Sequence, residues 1–172
     1  TASMRAVFVR VAIVGLWCGA ASSVSAANSA VIVAGSRSYQ NYRHQADACH
    51  AFHALVRHGM DPDRIITMFY DDIVNDPDNP YPGQLFNRPT ANKVPGVDVY
   101  DGCRKSYVGA DVTAANFLNI ITGNASAMAG IGTGQVLPTD SAQDVFIYYS
   151  DHGGTGLVQM PSGPFLYATD LN

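Results

Sequence analysis

Glutamate is absent from this chain; all fourteen acidic residues are Asp. That rules out the HExxH helix of zinc metallopeptidases, which needs a Glu between its histidines. Basic clusters are missing too. The net charge of −4 is mildly acidic and argues against a nucleic-acid partner. Long apolar runs are also lacking, since Val11–Ala21 is too short for a comfortable membrane span. Cysteine is scarce: beyond the leader only Cys49 and Cys103 remain. Two are too few for a disulfide-built scaffold, so the core must come from ordinary hydrophobic burial. No internal repeat or low-complexity segment appears.

What is present begins with a leader. From Met4, Arg5 and Arg10 form a basic n-region, Val11–Ala21 an apolar core, and Val24-Ser25-Ala26 a small-x-small cleavage site. This is the pattern of a secretory signal peptide cut after Ala26. Roughly 146 residues would remain, about one domain. Without Arg5 and Arg10 the net charge of −4 becomes −6. Asn124-Ala125-Ser126 is an N-glycosylation sequon, as suits a secretory protein. Thr1–Ser3 stand upstream of Met4, and a helix opening at Thr169-Asp170-Leu171 is interrupted at Asn172, so the sequence reads as a fragment.

The pattern that follows is α/β. Ser29–Gly35 is a continuous apolar run suited to a central parallel strand. Tyr42–His58 is helical in period, with Ala48, Cys49, Phe52, Leu55 and Val56 on one face and Gly59 as its stop. Arg64–Tyr70 is a second strand, which completes a right-handed βαβ unit. Residues 71–110 hold five prolines and many Asn, Asp and Gly without a helical or strand period, which predicts a long loop. Thr113 is the expected N-cap of a helix to about Thr122, and residues 125–134 could add a short helical turn. Val145–Tyr149 reads as a buried strand, followed by shorter strands near residues 156–160 and 165–168.

The strand at 145–149 breaks into Ser150-Asp151-His152-Gly153-Gly154. A parallel strand ending this way delivers polar side chains to the carboxyl edge of its sheet, where open α/β folds place their chemistry. His152 is therefore the best catalytic candidate of the five histidines, and Gly153 offers an unobstructed N–H. The competing reading is a histidine that caps a strand in a turn. Asn41-Tyr42-Arg43-His44 lies in the first strand-to-helix loop, at the same edge, and an Arg fixed there supplies a bidentate partner for a carboxylate or carbonyl; taken alone, Arg43 reads first as a solvated residue in the first helical turn. His50, His53 and His58 invite a metal, but no Glu or Cys pair completes a ligand set, so no metal is expected. Gly130, Gly132 and Gly134 lack the order and the following Lys of a phosphate loop. Cys49 falls on a buried helix face. Cys103, beside Arg104 and Lys105, is a candidate thiolate that nothing aims at His152. No convincing nucleophile appears.

Several signatures occur in order: Val-Ile-Val-Ala-Gly, Asn-Tyr-Arg-His-Gln-Ala-Asp-Ala-Cys-His, Met-Phe-Tyr-Asp-Asp-Ile, Asn-Pro-Tyr-Pro-Gly, Asp-Val-Thr-Ala-Ala-Asn-Phe-Leu and Asp-His-Gly-Gly-Thr-Gly. Together they resemble the amino-terminal part of the legumain, or asparaginyl endopeptidase, family, from about Val31 to Asn172. The resemblance implies a caspase-like α/β fold with a mostly parallel sheet flanked by helices. It also implies a Cys-His protease that needs no cofactor and takes polypeptide substrates with Asn, less readily Asp, at P1. His152 would be the catalytic histidine, Gly153 would serve the oxyanion hole, and Asn41 would orient the histidine. Arg43 and His44 would help form the P1 pocket, and Asp151 matches a residue linked to peptide ligation. The family works in lysosomes or vacuoles after activation from a proenzyme. Its catalytic cysteine would lie past Asn172, together with a prodomain, so this polypeptide alone would be inactive. A GPI transamidase catalytic subunit shares the Asn-Tyr-Arg-His stretch, but Gln45–His50 and Asp151 stand against it. A non-catalytic caspase-like binding protein is the rival from another class.

Overall fold

The computed structural model describes residues 28–88, 96–139 and 144–171. The expected signal peptide therefore lies outside the described residues. Four parallel strands form the main sheet: β1 (Ser29–Ala34), β2 (Ile65–Phe69), β3 (Tyr107–Val108) and β4 (Val145–Ser150), in the order β3-β2-β1-β4. Helix α1 (Tyr42–Arg57) joins β1 to β2, and α2 (Ala114–Ile121) lies between β3 and β4. This is the mostly parallel, helix-flanked α/β arrangement expected of a caspase-like fold. Among the described residues, no helix is long and apolar enough to cross a membrane.

β1 is buried along its whole length because it is covered on both faces. Strand alternation sends Ala30, Ile32 and Ala34 to one face, against Ala46, Cys49 and Phe52 of α1. Val31 and Val33 point to the other, with Phe117 and Ile120 of α2. α2 begins as expected, Thr113 accepting a hydrogen bond from the Asn116 N–H at 3.1 Å. The strands near 156–160 and 165–168 are real but short. β5 (Gly153–Gly154), β6 (Leu157–Val158) and β7 (Leu166–Tyr167) make a small antiparallel sheet. The final segment, Ala168–Leu171, is a 3-10 turn.

Four expectations need correcting. β4 is not a buried strand at its start: it lies at the sheet edge, and Val145, Phe146 and Ile147 are each nearly half exposed. The long loop contains β3, a two-residue strand whose brevity leaves no period to read. Residues 125–134 form turns rather than helix. Gly132 there is pressed against Ser106 and the Tyr107 ring, a packing reason for a glycine. Finally, Cys49 and Cys103 are neither a free core thiol nor a loop thiolate, because they form a disulfide. It ties the long loop to the middle of α1.

Asp71, at the end of β2, has φ 65° and one carboxylate oxygen, Oδ1, that is buried without a hydrogen bond among the described residues. Burial pushes its pKa up, opposed by the Tyr100 hydroxyl and by the Lys105 ammonium, 3.9 Å from Oδ2.

Two predictions follow from these contacts. Reducing the disulfide, or Cys103→Ser, should lower stability by about 2–4 kcal/mol. Coincident melting curves with and without reductant would contradict this. Because the folded state binds the Asp71 proton more tightly than the unfolded chain, its ionisation costs stability as pH rises through the raised pKa. Asp71→Asn removes that cost and suits the left-handed backbone. Its melting temperature should exceed wild type at pH 7, with the gap closing below the ordinary carboxylate range; a gap independent of pH would refute the assignment.

Candidate active site

The strand order decides where the site lies. From β1 the chain crosses by α1 to β2 on one side, whereas β4 pairs on the other side of β1. α1 and α2 cover opposite sheet faces. The carboxyl ends of β1 and β4 thus flank a switch point, the preferred crevice of open parallel sheets. Their register brings Ala34 opposite Ser150, and the Gly35 N–H donates to Ser150 O at 3.1 Å. The loops after the two strands therefore start side by side.

Gly35 is demanded by this closeness. A Cβ there would run into the Tyr149 hydroxyl, and would stand 2.5 Å from Gln159 O and 2.6 Å from Asp151 Oδ2. Beyond it the backbone turns sharply, with Ser38 at φ 72°. Asp72 holds that turn by accepting the Ser38 N–H at 2.7 Å and the Gln45 side-chain amide at 2.6 Å. The turn presents Asn41 at the mouth of α1.

Asn41 and His152, from opposite sides of the switch point, meet. Asn41 Nδ2 donates to Arg37 O at 2.9 Å, which fixes the amide so that Oδ1 faces the histidine. His152 Nε2 is 2.8 Å from that Oδ1. An amide oxygen only accepts, so His152 carries its proton on Nε2 and leaves Nδ1 as the basic nitrogen. The His44 ring stacks edge-on against His152 at 5.0 Å between centroids.

His44 is buried, with Nδ1 2.6 Å from Ser36 Oγ and 3.2 Å from Asp151 Oδ1. Burial lowers its pKa, as does the charge of Arg43; Asp151 acts in the opposite direction. The Asp151 side chain is fully enclosed. Tyr149 donates to its Oδ2 at 3.4 Å and also to Gln159 O. Burial, then the Asp151 charge, raise the Tyr149 pKa far above its usual value. Ser150 donates to Asp47 Oδ2 at 3.0 Å, and Asn87 to Asp47 Oδ1 at 2.6 Å, which pins the end of β4 to α1.

The remaining expected residues are placed as follows. Arg43 is exposed in the first turn of α1, its guanidinium donating to Gln40 O at 3.4 Å. Gly153 has room for a side chain, its nearest neighbour to a Cβ being Leu157 O at 3.7 Å. Packing inside the protein thus does not require this glycine. Asn124 is exposed, its Oδ1 accepting the Ser126 hydroxyl at 2.9 Å. His53 donates from Nε2 to Val99 O at 3.0 Å. The sequence reading missed Gly35, Ser36, Asp47 and Asp72. Only Gly35 carried a signal, a glycine directly after an apolar strand.

The arrangement sets a histidine, its Nε2 turned to Asn41 Oδ1, at the carboxyl edge of the sheet and directly before Gly153. The sequence profile of the Peptidase C13 family matches residues 28–172, and the chain belongs to that family. It is 49% identical to the legumains of Bos taurus and Homo sapiens over 142 residues, 83% of this chain and 31% of theirs. It is 47% identical to the vacuolar-processing enzyme of Vicia sativa over 143 residues, 83% of this chain and 28% of that protein. The chain thus spans about a third of the length of these relatives.

Gly35→Ala should lower stability by about 1–3 kcal/mol through overpacking. Chemical denaturation measures it, and an unchanged midpoint would contradict the close approach described here.

Proposed function

We propose that the protein carrying this chain is a cysteine endopeptidase that cleaves after Asn, and less readily after Asp. The observation that carries this reading is the Asn41–His152 hydrogen bond at the switch point, in a chain of the Peptidase C13 family. His152, oriented by Asn41, exchanges a proton with the thiol and with the leaving amine through Nδ1. Gly153 donates its N–H to the developing oxyanion, and the lack of any packing need for a glycine there favours an approach from outside. Arg43 and His44 recognise the P1 side chain. The buried imidazole of His44 pairs with a carboxamide, and the Arg43 guanidinium with its oxygen.

The nucleophile belongs on a strand C-terminal to Asn172, and the outer edge of β4, exposed at its start and paired with no strand among the described residues, suits the addition of such a strand. A secretory leader cut after Ala26 and delivery to lysosome, vacuole or the exterior complete the reading, with transpeptidation as a second outcome of the acyl-enzyme.

The test uses the full-length protein and matched peptides with Asn, Asp or Gln at P1. His152→Ala should lower kcat by about 10²–10⁴-fold while leaving the circular dichroism spectrum unchanged. Arg43→Ala should act mainly by raising KM. Normal turnover by the His152 variant, or no preference for Asn, would overturn the proposal.

A further inference from the structure

We propose that His44, Asp151 and His152 form a divalent-cation site of the zinc type, and that occupancy by zinc shuts the active site. The inhibitory half rests on the protease reading above; the site itself does not. Each of the three residues offers one ligand atom, and these atoms lie within 4.8 Å of one another. His44 Nδ1 and Asp151 Oδ1 are already 3.2 Å apart. With metal–ligand bonds of about 2.0–2.2 Å, neighbouring ligands on tetrahedral zinc stand roughly 3.3–3.5 Å apart. Small side-chain rotations bring His152 into range.

A second observation concerns burial. Asp151 Oδ1 belongs to a side chain with no solvent exposure and, although it stands 3.2 Å from His44 Nδ1, which also lies 2.6 Å from Ser36 Oγ, it accepts no hydrogen bond among the described residues. A buried carboxylate oxygen in that state is costly, and a cation is the partner that satisfies it most fully. His44 is buried beside it, whereas His152 is exposed, which leaves a coordination position open to solvent. Two imidazoles and one carboxylate suit zinc, while magnesium and calcium prefer all-oxygen shells.

The consequence for catalysis follows from the ring nitrogens. A cation on Nδ1 of His152 takes the basic lone pair. A cation on Nε2 displaces the Asn41 hydrogen bond that orients the ring. At the same time His44 is withdrawn from substrate.

Zinc binding by the full-length protein, measured in competition with a chromophoric chelator, tests the site without requiring turnover. One equivalent should bind, and Asp151→Asn and His44→Gln should each weaken it by about tenfold or more, with melting curves confirming that both variants fold. Activity should fall in step with occupancy and return on adding EDTA. Absence of stoichiometric binding, or affinity unchanged in both variants, overturns the site, the latter because zinc would then sit on other ligands. Binding through these residues in a protein that cleaves nothing leaves the site standing and sinks the protease reading instead. Cleavage without zinc binding does the reverse.

Discussion

The parallel pairing of β1 with β4 is the constraint on which the site depends. Six consecutive pairs run from Ser29 opposite Val145 to Ala34 opposite Ser150, and one more backbone hydrogen bond carries the ladder to Gly35. Because Gly35 has no side chain, Tyr149 and Asp151 fold into the space beside it. A register slip of one residue would send Asp151 to the other face and separate His152 from Asn41. The site is thus a property of strand register before it is a property of any loop.

The absence of Glu gains a structural meaning in the turns. Asp carboxylates cap turns one after another: Asp61 accepts the N–H of Asp63, Asp76 that of Asp78, and Asp98 those of Leu85 and Tyr100. A short side chain reaches its own neighbouring backbone in a way Glu does not. Asp72 and Asp47 use the same reach across longer separations, bracing the Ser38 turn and the end of β4. A loop-rich chain is held by short acceptors at its turns, and the disulfide anchors its longest connection to α1.

β1, α1, β2 and α2 were legible in the sequence because their periods and caps are strong and local. β4 was legible as a strand, but its place was not. Val-Phe-Ile-Tyr-Tyr reads like the interior run of β1, and exposure of its first three residues depends on which strands flank it. β3 is too short to carry a period. The Cys49–Cys103 bond joins residues 54 apart, one in a helix and one in a loop, and no local pattern encodes that. At the site, the sequence pointed to the two loops and to His152 through the strand-end argument. The resemblance supplied Asn41 as its partner. Gly35, Asp47 and Asp72 act through contacts across long separations, so only the folded chain brings them into view.

The central claim is that Asn41 holds His152 as the tautomer with its proton on Nε2, so that Nδ1 is the base. Long-range ¹H–¹⁵N correlation on the imidazole of His152, in the neutral form of the full-length protein, tests it directly. The account predicts a protonated Nε2 and a bare Nδ1, with that preference weakened by Asn41→Ala. A proton resident on Nδ1, or a pattern indifferent to Asn41, would contradict it.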